Sequence, residues 1–364
     1  MRIALLGSGF VIGAVSGAAA QDTAGPKVTF GGFVDTYVAH DFGRPAAFDR
    51  GFTTQAARHH EFNVNLAVLE ARLEGNGIRA RVALQAGTSV QANYAAEPAV
   101  GAVSGPSLSR HLQEAIVGVR LGREVWIDGG VYLSHVGSES WISRDNPTYT
   151  RSLIADYSPY YQAGARLTWT PSARFSAQVN VVNGWQIISE NNDAKSVGLR
   201  LEYVASPAVT LSAYNLIGNE IPAGSGGRTR YFQGASLRLT PSSRSLLIAT
   251  VDIGVEEGSA GGRRSTWYGG ALIGKVQATP RVGLSGRVER YADPDQVIVL
   301  TGLPAGFRVW GGSVGVDVIT AERVLWRTEF RGMGGPDRIF PSRDGAGGLS
   351  KGNAVLVTSL AVSF

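Results

Sequence analysis

From Ile78 to Gly87 the chain reads Ile-Arg-Ala-Arg-Val-Ala-Leu-Gln-Ala-Gly, apolar at every even position and mostly polar or small at the odd ones. A strand places those two sets on opposite faces. The same alternation returns at 162–169, 197–203, 235–239 and 282–289. Extended along the chain, it predicts strands near 27–41, 61–74, 77–89, 110–121, 124–135, 158–170, 173–186 and 194–204. The second half adds 208–219, 229–240, 243–255, 265–278, 280–291, 306–319, 322–332 and 353–364, sixteen in all. Between them, tight turns such as Glu74-Gly75-Asn76-Gly77 and Pro171-Ser172 alternate strictly with long polar loops. Gly, Asn, Pro and Ser supply the backbone angles such turns need.

Two stretches depart from the pattern. In 61–74 the apolar set moves from even positions (Phe62, Val64, Leu66, Val68) to odd ones (Leu69, Ala71, Leu73), which predicts a β-bulge near Ala67 to Leu69. The pairs Gly269-Gly270 and Gly311-Gly312 interrupt two other strands and leave their registers open.

Alternation alone does not say which face is wet: a sandwich buries the apolar face, a membrane barrel turns it to lipid. The first residues favour the second reading. Met1-Arg2, an apolar run from Ile3 to Val15 and the small residues up to Ala20 form an export signal, expected to be removed after Ala20. The apolar run is shorter than the ~20 residues of a spanning helix. Residues 21–364 are then read as one all-β domain: a transmembrane antiparallel up-and-down barrel of about sixteen strands, with short periplasmic turns and long extracellular loops. The chain contains no cysteine, so no disulfides staple it. Its net charge of +5 is spread along the chain rather than clustered, which argues against nucleic acid as a partner.

On a barrel reading, Tyr161, Trp169, Phe175, Tyr203, Trp326 and Phe364 fall near strand ends of the lipid face, as interfacial girdles do. Phe364 ends the last alternating strand and is the expected barrel-closure and assembly signal. Inward positions carry Arg72, Arg79, Arg81, Arg120, Arg166, Arg200, Arg238, Lys275, Arg287, Arg327 and Arg331. They also carry Glu70, Glu114, Asp128, Glu202, Asp252, Glu289 and Glu329. Two readings stay open: an anion-preferring wall, or charges paired across strands that merely keep it wet.

His135 to Tyr161 lacks the alternation and is too long for a hairpin turn. It contains the third long loop. Trp141, Ile142, Leu153 and Ile154 are expected to dock on the wall, leaving Arg144, Asp145, Asn146, Arg151 and Asp156 to face the solute as a constriction. An outer lid held by its own salt bridges is the other reading.

Several stretches, from Phe30 to about Glu220 and more weakly onward to Phe364, resemble a known family. They include Gly31-Gly32-Phe33-Val34-Asp35-Thr36-Tyr37, Phe52-Thr53-Thr54-Gln55, Arg58-His59-His60-Glu61-Phe62-Asn63, Gln91-Ala92-Asn93-Tyr94 and Asn183-Gly184-Trp185-Gln186. The most specific are Ser143-Arg144-Asp145-Asn146 and Asp156-Tyr157-Ser158-Pro159-Tyr160-Tyr161. With these the chain resembles the OmpL-like outer-membrane β-barrel porins. That resemblance implies an integral outer-membrane barrel with a pore-like role and little else. Separately, no cofactor is expected, and the expected partners are outer-membrane lipids and lipopolysaccharide, the assembly machinery and small hydrophilic solutes, with a homo-oligomer left open. General porins fold their third loop into the lumen, an analogy at the level of fold.

Two other functions can be read against the same residues. A surface receptor or adhesin would use the long loops. A hydrolase would need a site such as His135 with Ser138 or Ser140 and Asp145, or His59-His60-Glu61 with Asp49; His40 and His111 are the remaining histidines. The expectation is a channel and not an enzyme.

Overall fold

The computed structural model describes residues 25–258 and 262–364; the expected export signal at 1–20 lies outside the described residues. The first half holds β1 (Lys27–Asp41), β2 (Phe62–Gly75), β3 (Ile78–Ala86), β4 (Leu112–Arg120), β5 (Val125–Leu133), β6 (Tyr161–Ser172), β7 (Phe175–Val182) and β8 (Ser196–Ser206). The second holds β9 (Val209–Asn219), β10 (Thr229–Ser242), β11 (Ser245–Glu256), β12 (Ser265–Gln277), β13 (Val282–Asp293), β14 (Phe307–Ala321) and β15 (Val324–Gly334). Two short strands, β16 (Phe340–Pro341) and β17 (Leu349–Ser350), precede β18 (Gly352–Ser363). All but β16 and β17 form one closed sheet in which each strand pairs with its sequence neighbours and β18 closes on β1. The barrel therefore has sixteen antiparallel strands and leaves no free edge.

The turns on one rim are tight. Between β2 and β3, Asn76 and Gly77 take φ of 52° and 74°, the pair of left-handed residues a two-residue hairpin turn requires. The other rim carries the long connections, of which L1 (42–61), L2 (87–111), L3 (134–160) and L4 (183–195) matter most below.

Burial is inverted relative to a soluble protein. On β13, Leu284 and Val288 are 48% and 61% exposed, whereas Arg287 and Glu289 between and beside them are each 3% exposed. The apolar face looks outward and the charged face inward, as lipid demands. Trp169, Tyr203, Trp326 and Phe364 are exposed at the short-turn rim, and Phe175 packs edge-on against Trp169. Tyr161 does not join them: it is buried, its ring stacked 4.1 Å from that of Tyr94.

The bulge in β2 sits earlier than the alternation implied. Asp35 pairs with Leu66 and Thr36 with Val64, so Asn65 is the extra residue. Its side chain explains the position. Asn65 Nδ2 donates to Asp35 (2.8 Å) and Gln55 (3.0 Å), and its Oδ1 accepts from the Ala56 amide (3.2 Å). Leu66 and Val68 consequently turn into the barrel, where L3 covers them. Both glycine pairs lie in regular ladders.

Candidate functional site

L3 does not form a lid outside the barrel; it folds inside and reaches most of the wall. Gly137 and His135 offer carbonyls to Arg200 of β8 at 3.0 and 2.9 Å. Ser138 meets Thr250 of β11 at 2.6 Å, and Ser143 and Tyr149 donate to Asp35 of β1 at 2.9 and 3.2 Å. Arg327 of β15 donates to the carbonyls of Ser143 (2.5 Å), Asn146 (3.0 Å) and Pro147 (2.8 Å). Glu329 accepts from the Thr150 amide and hydroxyl, Arg287 donates to Thr148 and Thr150, and Glu289 accepts from the Leu153 amide. Its last turn, α1 of L3 (Leu153–Asp156), is capped by Ser152, whose hydroxyl accepts from the Ala155 amide. The apolar members dock as their composition suggests: Trp141 and Ile142 pack with Phe33, Leu66 and Val68, while Leu153 and Ile154 pack with Trp267 and Tyr291.

Every residue from Thr148 to Asp156 is less than a tenth exposed. Asn146, Arg151 and Asp156, expected to face the solute, are therefore buried, because each is consumed by structure. Asn146 clasps the backbone of Ser140 in both directions at 2.7 and 2.8 Å. Arg151 lies 3.5 Å over the Tyr160 ring and pairs with Asp156 at 3.1 Å; both also bond Thr54 of L1. Arg144 and Asp145 keep partial exposure, with Arg144 4.5 Å over the Phe33 ring. Burial pushes the Asp145 carboxyl above its ordinary range, with Arg144 opposing the shift.

The wall divides in the same way. Arg287, Glu289, Arg327, Glu329 and Arg331 lie under L3 and are buried, while Arg79, Arg81, Arg120, Arg200, Glu202 and Arg238 keep contact with water. Arg166 is buried against Asp128 at 3.1 Å. A repeated geometry joins these side chains: one acid shared by two bases. Glu70 bridges Arg72 and Arg81 (2.9 and 2.5 Å), and Asp128 bridges Arg79 and Arg166 (2.6 and 3.1 Å). Glu289 bridges Arg287 and Arg331 (3.2 and 2.8 Å), while Asp317 joins Arg327 at 2.8 Å and Lys275. Arg81 reaches Glu114 as well, and Arg200 pairs with Glu202 at 3.1 Å.

Two features were not read from the sequence. L1 also turns inward: Gln55 donates to the Trp141 carbonyl at 2.7 Å, and Phe52 packs against Phe307 and Phe340. Glu139 is partly exposed in L3 and accepts from the amide and hydroxyl of Ser152, and burial raises its carboxyl above the ordinary range.

The hydrolase arrangements are not assembled. His135 commits its nitrogens to Gln162 (2.9 Å) and the Asn215 carbonyl (2.8 Å), and burial depresses its imidazole. Ser138 bonds Thr250, and Asp145 bonds Arg144. Near His59, both Asp49 and Glu61 are held by Arg58 at 2.6 and 3.0 Å, and His59 Nδ1 accepts from the Asp41 amide.

A closed sixteen-stranded barrel with lipid-facing apolar residues, a charged interior and an inserted third loop has the architecture of an outer-membrane porin. Residues 27–364 match the family model "Putative beta-barrel porin-2, OmpL-like", and the chain belongs to that family. No curated protein is significantly similar to it in sequence. Among solved structures it is similar in fold to the outer-membrane channel DcaP of Acinetobacter baumannii, at TM-score 0.61 and 11% identity over 95% of this chain and 100% of that one. An anion-selective porin from Comamonas acidovorans gives TM-score 0.59 and 12% identity over 93% and 100%. OmpF of Salmonella typhi, in complex with daunomycin, gives 0.58 and 11% over 93% and 98%.

Proposed function

We propose that the protein is a passive diffusion channel for small hydrophilic solutes, with L3 as its constriction and a mild preference for anions. Export by residues 1–20, and residues 21–364 as a single barrel domain, belong to the same reading, as do its contacts with lipid, assembly machinery and other copies of itself.

The observation that carries it is the sharing of one acid between two bases at Asp128 and Asp317. Paired charges are often taken as electrostatically spent. Here Asp128 and Asp317 each serve two cations, so each of these groups retains one net positive charge, whereas Arg81 and Arg287 draw Glu114 and Glu329 into the groups of Glu70 and Glu289 and leave those neutral. Pairing across the wall and a mild anion preference are thus compatible. Such a field favours anions by raising their local concentration. With L3 across the interior, solutes meet Ser140, Arg144 and Asp145, then Arg79, Arg81, Arg200 and Glu202 toward the short-turn rim. The tight packing of L3 favours small solutes over large ones.

Insertion of the purified protein into a planar bilayer should give stepwise conductance, and a salt gradient should give a reversal potential of anion-selective sign. Arg79→Glu with Arg81→Glu should weaken or invert that sign. A silent bilayer would remove the channel reading; steps whose selectivity ignores the charge reversal would remove the anion preference alone.

A further inference from the structure

A guanidinium that faces hydrocarbon gives up hydration and needs a partner in return. Two arginines on the outer face of β13 and β14 have no acid and no hydrogen-bond acceptor among the protein's described residues. Arg290 points outward and is exposed, whereas its neighbours Glu289 and Tyr291 are buried inside. Across the sheet it stands directly opposite Trp310 on one side and Gly270 on the other. Its guanidinium lies 4.7 Å from the Trp310 ring centroid, and Trp310 is itself 62% exposed. Arg308 stands opposite Ala292, hence diagonal to Arg290, which places the two Cβ atoms roughly 7–8 Å apart. Among the described residues neither guanidinium has an acid partner or a hydrogen bond.

Their height is informative. Arg290 lies three residues from the end of β13 and Arg308 one residue from the start of β14, both at the long-loop rim. Tyr268, opposite Ala292, is exposed at the same level, as interfacial aromatics are. Toward the middle of the membrane the outward row carries several glycines, which leave a shallow trough crossed by the exposed Leu272 and Val288. The glycine pairs split: Gly269 and Gly311 face inward against Ile154 and Glu289, whereas Gly270 and Gly312 face outward. Gly286 and Gly274 lie in the same band, flanked by Val288 and Val314, which are 61% and 64% exposed. A Cβ at Gly274 or Gly286 would come no nearer than 3.7 Å to any atom, so the barrel's own packing does not require glycine at those two positions.

We propose that Arg290, Arg308 and Trp310 seat a phosphate of the phosphorylated glycolipid of the outer leaflet, with its acyl chains lying in the glycine trough. Two guanidiniums at this spacing suit one phosphate, since Arg offers planar, weakly hydrated donors for it. Trp310 supplies an amphipathic ring at the headgroup level. A single amphiphile accounts for both the unpaired charge and the open trough. The seat rests on the outer-membrane reading with the long loops outside, and is independent of whether the lumen conducts.

Native mass spectrometry of the full-length protein in detergent, titrated with diphosphoryl lipid A, tests it. The unmodified protein should retain lipid A, and Arg290→Ala with Arg308→Ala should lower retention at least tenfold. Arg290→Lys with Arg308→Lys should lose less, and carries the test if the alanine pair does not fold. Dephosphorylated lipid A and phosphatidylethanolamine should bind weakly, and excess inorganic phosphate should fail to displace lipid A. Equal retention by the alanine variant, or equal binding of the dephosphorylated lipid, would overturn the proposal. Displacement by inorganic phosphate alone would do so too, by showing a free-anion site. Conductance of the alanine variant should match that of the parent. A protein that binds lipid A but never conducts would leave the seat standing and fell only the channel.

Discussion

Arg327 illustrates what one inward residue does here. Alternation along β15 places it inside, and that much follows from neighbouring residues. Its partners do not: it donates to three carbonyls of L3 some 180 positions away while pairing with Asp317 on β14. No local pattern announces a contact between an arginine and backbone carbonyls, because carbonyls are the same in every residue. The side chain is 2% exposed, so removing it leaves a buried acid with one base and takes the guanidinium donor from the Asn146 and Pro147 carbonyls, while Ser143 keeps only the Asn146 amide. Breaking a buried pair of this kind costs about 3–5 kcal/mol. Arg327→Ala should therefore lower the urea midpoint for loss of heat-modifiable migration, and should widen the current steps as L3 loosens. An unchanged midpoint would mean that L3 is held elsewhere. Asn65 shows the same limit. Leu66 and Val68 are apolar, like the lipid-facing residues around them, so the sequence could not distinguish a bulge at Asn65 from one three residues on.

Among the elements, the strands were legible because a period of two is written into each of them and confirmed by the turn residues between. L3 was legible as an inserted element for the opposite reason: it breaks the period while carrying aromatics and hydroxyls too apolar for a solvated loop. The sequence did not disclose which of its polar residues stay wet. Charge in a loop ordinarily signals solvent, yet Arg151 and Asp156 neutralise each other between Trp141, Tyr160 and L1. Glu139, which does keep some water contact, is a single acid flanked by serines and carries no pattern that marks it in the sequence. Deleting Asn146 to Ser152 removes the groups that engage Glu329, Arg287 and the Arg327 fork, and turns those charges toward the lumen. Single-channel conductance should rise, and anion selectivity should increase at the same time. A pore of unchanged conductance would show that the narrowest point lies outside L3.

Over the whole molecule the closing seam governs whether there is a barrel at all. β1 and β18 pair in register from Phe33 with Ser363 to Asp41 with Val355. Phe364 adds one more rung: its amide and carbonyl exchange hydrogen bonds with Gly32 at 3.0 and 3.2 Å. Its ring rests on Gly32, where a Cβ would stand 2.7 Å from the ring carbons. A role for Phe364 as an assembly signal and a role as the last rung of the seam predict different outcomes. The two roles differ in magnitude and in where they act. Two hydrogen bonds contribute roughly 1–3 kcal/mol net, a small part of a seam with nine paired positions below it. Removing Phe364 should therefore barely change refolding of the purified chain into detergent micelles. If the residue is a signal, the same deletion should lower the amount of folded barrel reaching the outer membrane several-fold. Gly32→Val is the complementary change, since it disturbs the seam but leaves the terminal residue in place, and it should slow refolding in micelles and in cells alike. Equal, small effects of the Phe364 deletion in both settings would reduce that residue to packing.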